Sequence, residues 1–325
     1  MKFKHTFHVF VDNFSVIYKQ LLYRLIIFTV ATTIGTLGLY GFLKDLINSE
    51  SLVSLTSGIK NFISSLLNGD VTALSDISEQ VRTAYGHFLE LLQTRMTQIV
   101  LSILLIIVLY IVQKWFAGLG NYSTAVLIND KMALRANSPF VGSMISNLKE
   151  AAIYNLIYVP LSFVYDFAIA AIMITFLYYL VIQNVMPLII GVFVFMLILT
   201  VSTAFKMTFT CDWLPALIRG KMGQRKSIAY TFNRKNKNTM NVFSNFVVLV
   251  LIIMSVNVAA ALTTFGVGLL LTIPSSYVIL VCFEMVNYYD REELKYFVDK
   301  NTVIKPDRER VLTREEFFRG NDENS

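Results

Sequence analysis

Residues Lys206 to Asn241 read KMTFTCDWLPALIRGKMGQRKSIAYTFNRKNKNTMN. Eight of them are basic (Lys206, Arg219, Lys221, Arg225, Lys226, Arg234, Lys235 and Lys237), against one acid, Asp212. Strongly apolar segments flank the stretch on both sides. A membrane protein keeps a loop of this kind on the cytoplasmic side, because translocating so much positive charge is disfavoured. The chain therefore reads as an all-α polytopic integral membrane protein, and every other segment can be oriented from this loop.

Composition agrees. Of 325 residues, 55% are hydrophobic and 15% charged, where a soluble domain carries about 25% charged. The basic pI, near 9.1, is accounted for by flanking and cytoplasmic loops, so nucleic acid is not an expected partner. Cys211 and Cys282 fall at the cytoplasmic ends of spans, where thiols stay reduced. His5 and His8 share a helix face but lack a third ligand, and His87 has no catalytic neighbour in the sequence. No metal or cofactor is expected. Nothing at the N-terminus resembles a cleavable leader.

Taken in order, residues 1–20 form a cytoplasmic interfacial helix, with Phe3, Phe7, Phe10, Phe14 and Ile17 at helical spacing among lysines. Span one is 21–43, long enough to cross the hydrocarbon, with Gly35, Gly38 and Gly41 as a seam for close helix approach. Residues 44–97 carry four basic and six acidic residues and form an extracytoplasmic amphipathic helical hairpin turning at Asn68-Gly69-Asp70. Spans two to six occupy 98–288, with cytoplasmic loops 116–150 and 206–241. Span two ends on Lys114 and Trp115 as interfacial anchors. Spans three and four form a tight hairpin turning at Gln183-Asn184, and Pro160 and Pro274 mark kinks in spans three and six. Residues 289–325 form a charged cytoplasmic tail that starts as a helix, with Leu294, Phe297 and Val298 on it, and ends disordered. Six spans with both termini inside satisfy every charge imbalance.

Ile128, Lys131, Met132 and Arg135 recur as Ile218, Lys221, Met222 and Arg225 at a constant offset of 90. This echo suggests a duplicated hairpin unit with a pseudo-twofold axis along the membrane normal. Three local features, Trp213-Leu-Pro215-Ala216, the run Lys226 to Asn238, and Gly266-Val-Gly268 followed by Pro274, carry a resemblance. Over roughly its last 200 residues the chain resembles bacterial six-span membrane proteins of unassigned role, including the membrane domain of some glycerophosphodiester phosphodiesterases. The catalytic domain of those enzymes has no counterpart, so the resemblance implies a membrane fold and no activity.

Charges inside spans are costly and therefore informative. Asp166 is the acid well inside span three, and counting back from the Gln183-Asn184 turn brings it within snorkelling reach of Lys206 on span four. The pair is a structural ion pair fixing the hairpin or a proton- or cation-coupled site. Glu284 falls at the inner end of span six, and Asn155 and Asn257 are expected to bond between helices. Arg219, Lys221, Arg225, Lys226, Arg234, Lys235 and Lys237 could hold anionic lipid headgroups, at about 1 kcal/mol per residue. No catalytic triad, P-loop or metalloprotease motif can be built.

The expected role is a non-enzymatic accessory, scaffold or assembly protein of the bacterial cytoplasmic membrane, with the lipid bilayer and another membrane protein as partners. The alternative is a transporter or channel-like permease with a site near Asp166. A third is a lipid-handling membrane protein or enzyme. A water-accessible cavity beside Asp166 would favour transport; a solid bundle with apolar grooves would favour the partner role.

Overall fold

The computed structural model describes residues 2–47, 53, 54, 56–58, 60, 61, 64, 83, 96–134, 139–178, 188–232, 239–299 and 302–305. Most of the hairpin expected at 44–97, the turn at Gln183-Asn184, Arg135, Arg234, Lys235, Lys237 and the tail beyond 305 lie outside those residues. Helix α1 (Lys2–Asp12) leads into α2 (Phe14–Ile47), followed by α3 (Met96–Met132), α4 (Phe140–Ser146), α5 (Leu148–Leu177) and α6 (Leu188–Thr210). Then come α7 (Trp213–Ile218), α8 (Gln224–Phe232), α9 (Thr239–Thr263), α10 (Leu269–Arg291) and the strands β1 (Tyr296–Phe297) and β2 (Val303–Ile304). Six of the helices are long and apolar enough to cross a membrane, and the protein is an all-α multi-pass membrane protein.

Helix α10 is the hub. It packs on α1, α2, α3, α7 and α9, and Val278, Cys282, Phe283, Met285, Val286 and Tyr289 along it are fully buried. From Val278 to Tyr289 the buried residues fall on every side of the helix, so this half of it sits inside the bundle. Around it the other spans divide into two arms. Helix α3 joins α2 and α5 on one side, while α6 pairs with α9 on the other. Helices α5 and α6 touch each other at few points. Among the described residues the close packing expected of spans three and four is therefore not seen, because each has a better partner elsewhere. The two spans that contain a proline continue through Pro160 and Pro274.

The outward faces of the spans are apolar, with Leu37 76% and Phe193 71% exposed. Lipid is as apolar as leucine, so these faces need no cover. The main core lies instead at the basic end, where Ile17, Ile128, Met132, Trp213, Leu214, Met285 and Tyr289 interlock. Two boundaries move as a result. Helix α3 does not stop at Trp115 but continues to Met132, because Leu119, Tyr122, Ala125, Ile128 and Met132 keep a helical period that faces the core. Hydropathy marks where the bilayer ends, and a helix can go on beyond it. Likewise 206–241 is not a loop throughout. Lys206 lies within α6, and Trp213-Leu-Pro215-Ala216 is buried in α7. The echo does not extend to conformation: Lys131 is helical, whereas Lys221 follows the end of α7 with a left-handed φ of 48°.

The expected glycine seam is real in part. A Cβ on Gly35 or Gly38 would meet Leu109 or Leu105 of α3, while Gly41 faces open space. A closer approach occurs at Gly120, where a Cβ would lie 2.6 Å from the Tyr23 ring. That ring cannot easily yield, since its hydroxyl donates to the Phe116 carbonyl at 2.8 Å and its face meets Phe140. Gly120→Ala should cost about 1–3 kcal/mol by overpacking, read as a lower thermal midpoint in detergent; an unchanged midpoint would mean that α2 and α3 are not held this close.

At the basic end α1 docks on α10 and the strands. Lys2 donates to Asn287 Oδ1 at 2.9 Å, and Phe3 packs on Phe283. The outer face of α1 shows Phe7 and Val11, and Phe14 at the start of α2 continues it, as an interfacial helix requires. Beyond α10 the chain is not helical as expected but forms an antiparallel pair, Tyr296 opposite Ile304 and Phe297 opposite Val303. The aromatic and β-branched residues there favour strands, and Tyr296 and Val298 are buried. Tyr296 Oη donates to Asp290 Oδ1 at 2.7 Å, so His5 Nδ1, 2.9 Å from the same oxygen, must supply the proton of its own bond. Burial lowers the His5 pKa from its usual 6.5; Asp290 opposes this, while the N-terminus, His8 and Lys4 add to it. The neutral ring thus stabilises docking above pH 6.5, and that stabilisation is lost as the pH falls through the depressed folded-state value. Amide exchange along α1 should therefore speed up on mild acidification, and His5→Gln should abolish the pH dependence.

Candidate functional site: a polar cavity between the two arms

Helical spacing gathers polar groups on one face of each helix beside the gap between α5 and α6. On α3, Tyr110, Lys114, Gly118 and Asn121 are three to four residues apart, as are Asn155, Val159, Ser162 and Asp166 on α5 and Leu199, Ser202 and Lys206 on α6. Residues so spaced share a helix face. With Arg24 of α2 and Tyr277 of α10 they line an open cavity of about 560 Å³.

Asp166 is its centre. Oδ1 accepts from Lys206 Nζ at 2.7 Å, and Oδ2 accepts from Lys114 Nζ. The expected pair with Lys206 is thus present, but Lys114 joins it and is no mere interfacial anchor. Lys114 also donates to Tyr110 Oη at 3.1 Å. Across the gap, Tyr165 Oη donates to the Ser202 carbonyl at 2.7 Å. On the opposite wall the Arg24 guanidinium lies 3.6 Å from the centre of the Tyr277 ring and donates to Asn121 Oδ1 at 2.8 Å. Among the described residues Arg24 has no carboxylate partner, and its Nε is buried without an acceptor. Asn155, fully buried on the same wall, has an Oδ1 with no donor and fits only because α3 has Gly118 there, where a Cβ would lie 2.0 Å from that oxygen. Asn155 thus packs across the interface and donates within its own helix, to the Ala151 carbonyl. Asn257 donates between helices, to Ser276.

The charged lining is three cations, Arg24, Lys114 and Lys206, against one carboxylate, Asp166. A surplus of positive charge inside a helical bundle is costly unless water or an anion compensates it. The lining suits a ligand of negative charge. It offers hydroxyl and amide donors for orientation, and the Ser162 hydroxyl reaches Asp166 Oδ2 at 3.4 Å.

A second cluster acts as a structural clamp. Asp212, with its side chain 1% exposed, accepts from Arg291 Nη1, and the guanidinium stacks over Tyr230 and Tyr288. Burial and the hydrogen bond to Glu292 both raise the Tyr230 pKa. Glu284 lies within α10, near enough to Tyr154, Tyr158 and Asp212 to interact with them electrostatically. Of the basic residues read as lipid contacts, Arg219 stacks over Tyr289 at 5.2 Å. Lys221, Arg225 and Lys226 are exposed, and Lys221 borders a separate cavity of about 570 Å³ shared with Asp130 and Glu150. Among the described residues no His, Cys, Asp and Glu group could hold a metal ion.

No protein-family model matches this chain, and no curated protein or solved structure is significantly similar to it. The functional reading therefore rests on the cavity.

Proposed function

We propose that this is a non-enzymatic carrier-type protein of the bacterial cytoplasmic membrane that binds an anionic substrate in the cavity around Asp166. One observation carries the reading: three cations and one carboxylate share an open cavity between two helices that barely touch. With no substrate bound, Asp166 holds Lys114 and Lys206 and so ties α3, α5 and α6 together. An incoming anion competes for the same ammonium groups, loosens the link between α5 and α6, and so couples binding to movement of the arms. Such coupling requires only that the anion bind the two arrangements unequally. The basic end faces the cytoplasm in this reading. The accessory or scaffold role drew on the hairpin at 44–97 and the charged tail, most of which lie outside the described residues.

The test is thermal unfolding of the protein in nonionic detergent with phosphate, glycerol phosphate or a short carboxylate, at constant ionic strength against chloride. A ligand that binds only the folded state stabilises it by about 2.7 kcal/mol at 100 times its Kd. A rise in midpoint with one of these anions, reduced in Lys114→Gln, is the expected result. Equal midpoints in all of them would sink the proposal.

A further inference from the structure

Beside the polar cavity lies a second concavity of about 300 Å³ between α5 and α6, walled by Leu161, Phe205, Phe209 and Phe232. The two spaces adjoin. Tyr158, Ser162, Tyr165 and Lys206 line both, so these four side chains are all that stands between the polar cavity and the apolar groove. Phe205, Phe209 and Leu161 are exposed on the outer faces of their helices, facing lipid in a multi-pass protein, and the rings of Phe205 and Phe209 pack 4.7 Å apart. Lys206, the cation at the junction, already points its ammonium at Asp166 inside the cavity.

Resting on the reading above, we infer that the anionic substrate is the headgroup of an amphiphile that enters from the bilayer, its head among Arg24, Lys114 and Lys206 and its hydrocarbon chain in the groove. A fully water-soluble anion would have no use for an apolar opening toward lipid. A chain leaving lipid for the groove exchanges one apolar environment for another and gains little. The groove therefore gives access and alignment, and the head supplies the affinity through charge-assisted hydrogen bonds. The chain still raises apparent affinity, because it confines the head to the membrane surface at a high effective concentration.

The experiment uses the full chain in phosphatidylcholine nanodiscs, with the unfolding midpoint followed by circular dichroism. The probes are glycerol phosphate, a monoacyl glycerol phosphate and a monoacyl phosphocholine. The expected result is half-maximal stabilisation by the acyl phosphate at a concentration at least tenfold below that of glycerol phosphate, with no effect of the phosphocholine. Leu161→Trp, which fills the groove from a lipid-facing position, should remove the advantage of the chain and leave glycerol phosphate binding intact. If both phosphates act alike and Leu161→Trp changes nothing, the amphiphile inference is overturned while the anion site stands. Equal stabilisation by the phosphocholine would overturn it as ordinary lipid binding. If neither phosphate stabilises the protein, the carrier reading and this inference fall together.

Discussion

Asp212→Ala should be among the most damaging single substitutions in this chain, lowering stability by about 3–5 kcal/mol, the usual cost of leaving one half of a buried ion pair without its partner. Asp212 is almost wholly buried and receives Arg291 Nη1. Its loss leaves a guanidinium between Tyr230 and Tyr288 with the partly exposed Glu292 as its remaining ion-pair partner among the described residues. The consequence reaches beyond the pair, since α7 is held on α10 at this point and Trp213, the largest fully buried side chain, follows directly. Thermal and denaturant unfolding of purified protein would measure it. Adding Arg291→Met should restore part of the loss, because an apolar side chain of similar length can replace a buried charge once its partner is gone. A single variant with wild-type stability would mean that α7 does not depend on the clamp.

Asp166→Asn should separate stability from binding. The substitution removes the carboxylate that holds Lys114 and Lys206. A hydrogen bond to a charged group is worth about 1.5–3 kcal/mol, and because the Asp166 side chain is 34% exposed the loss should fall at the lower end of that range. Lys114→Gln in the same chain should recover much of it by restoring charge balance. Anion affinity should move the other way. With the internal competitor gone, both lysines are free, and phosphate binding should tighten by roughly tenfold, or about 1.4 kcal/mol. A purely structural ion pair would give the stability loss alone. Titration of wild type and variant with glycerol phosphate distinguishes the two.

The spans were legible because about 20 apolar residues in a row have few other uses. The Asp166 to Lys206 pair was legible because a charge in a span demands a partner and the rise per residue gives its level. Lys114 was misassigned because it ends an uncharged run, where a lysine usually reaches for the interface. Its four-residue spacing from Tyr110 and Gly118, on the face that also carries Asn121, was the signal that it turns inward. Arg24 lies inside the first expected span and by the same rule should have drawn notice as a charge in the membrane. The strands at Tyr296 and Val303 were hidden by spacing that also fits a helix, although Thr302-Val-Ile304 are all β-branched. The division into arms could not be seen at all, since every span is apolar on several faces and hydropathy does not say which face meets which neighbour.

The electrostatic sign of the cavity can be measured without knowing the substrate. A cysteine at Thr203, which lines the cavity on α6, can be reacted with anionic and cationic methanethiosulfonates while the native Cys211 and Cys282 stay buried. Relative to a free thiol, the anionic reagent should react faster than the cationic one, and Arg24→Gln should narrow the difference. Preference for the cationic reagent, or no reaction with either, would contradict a positively charged, water-accessible site between the two arms.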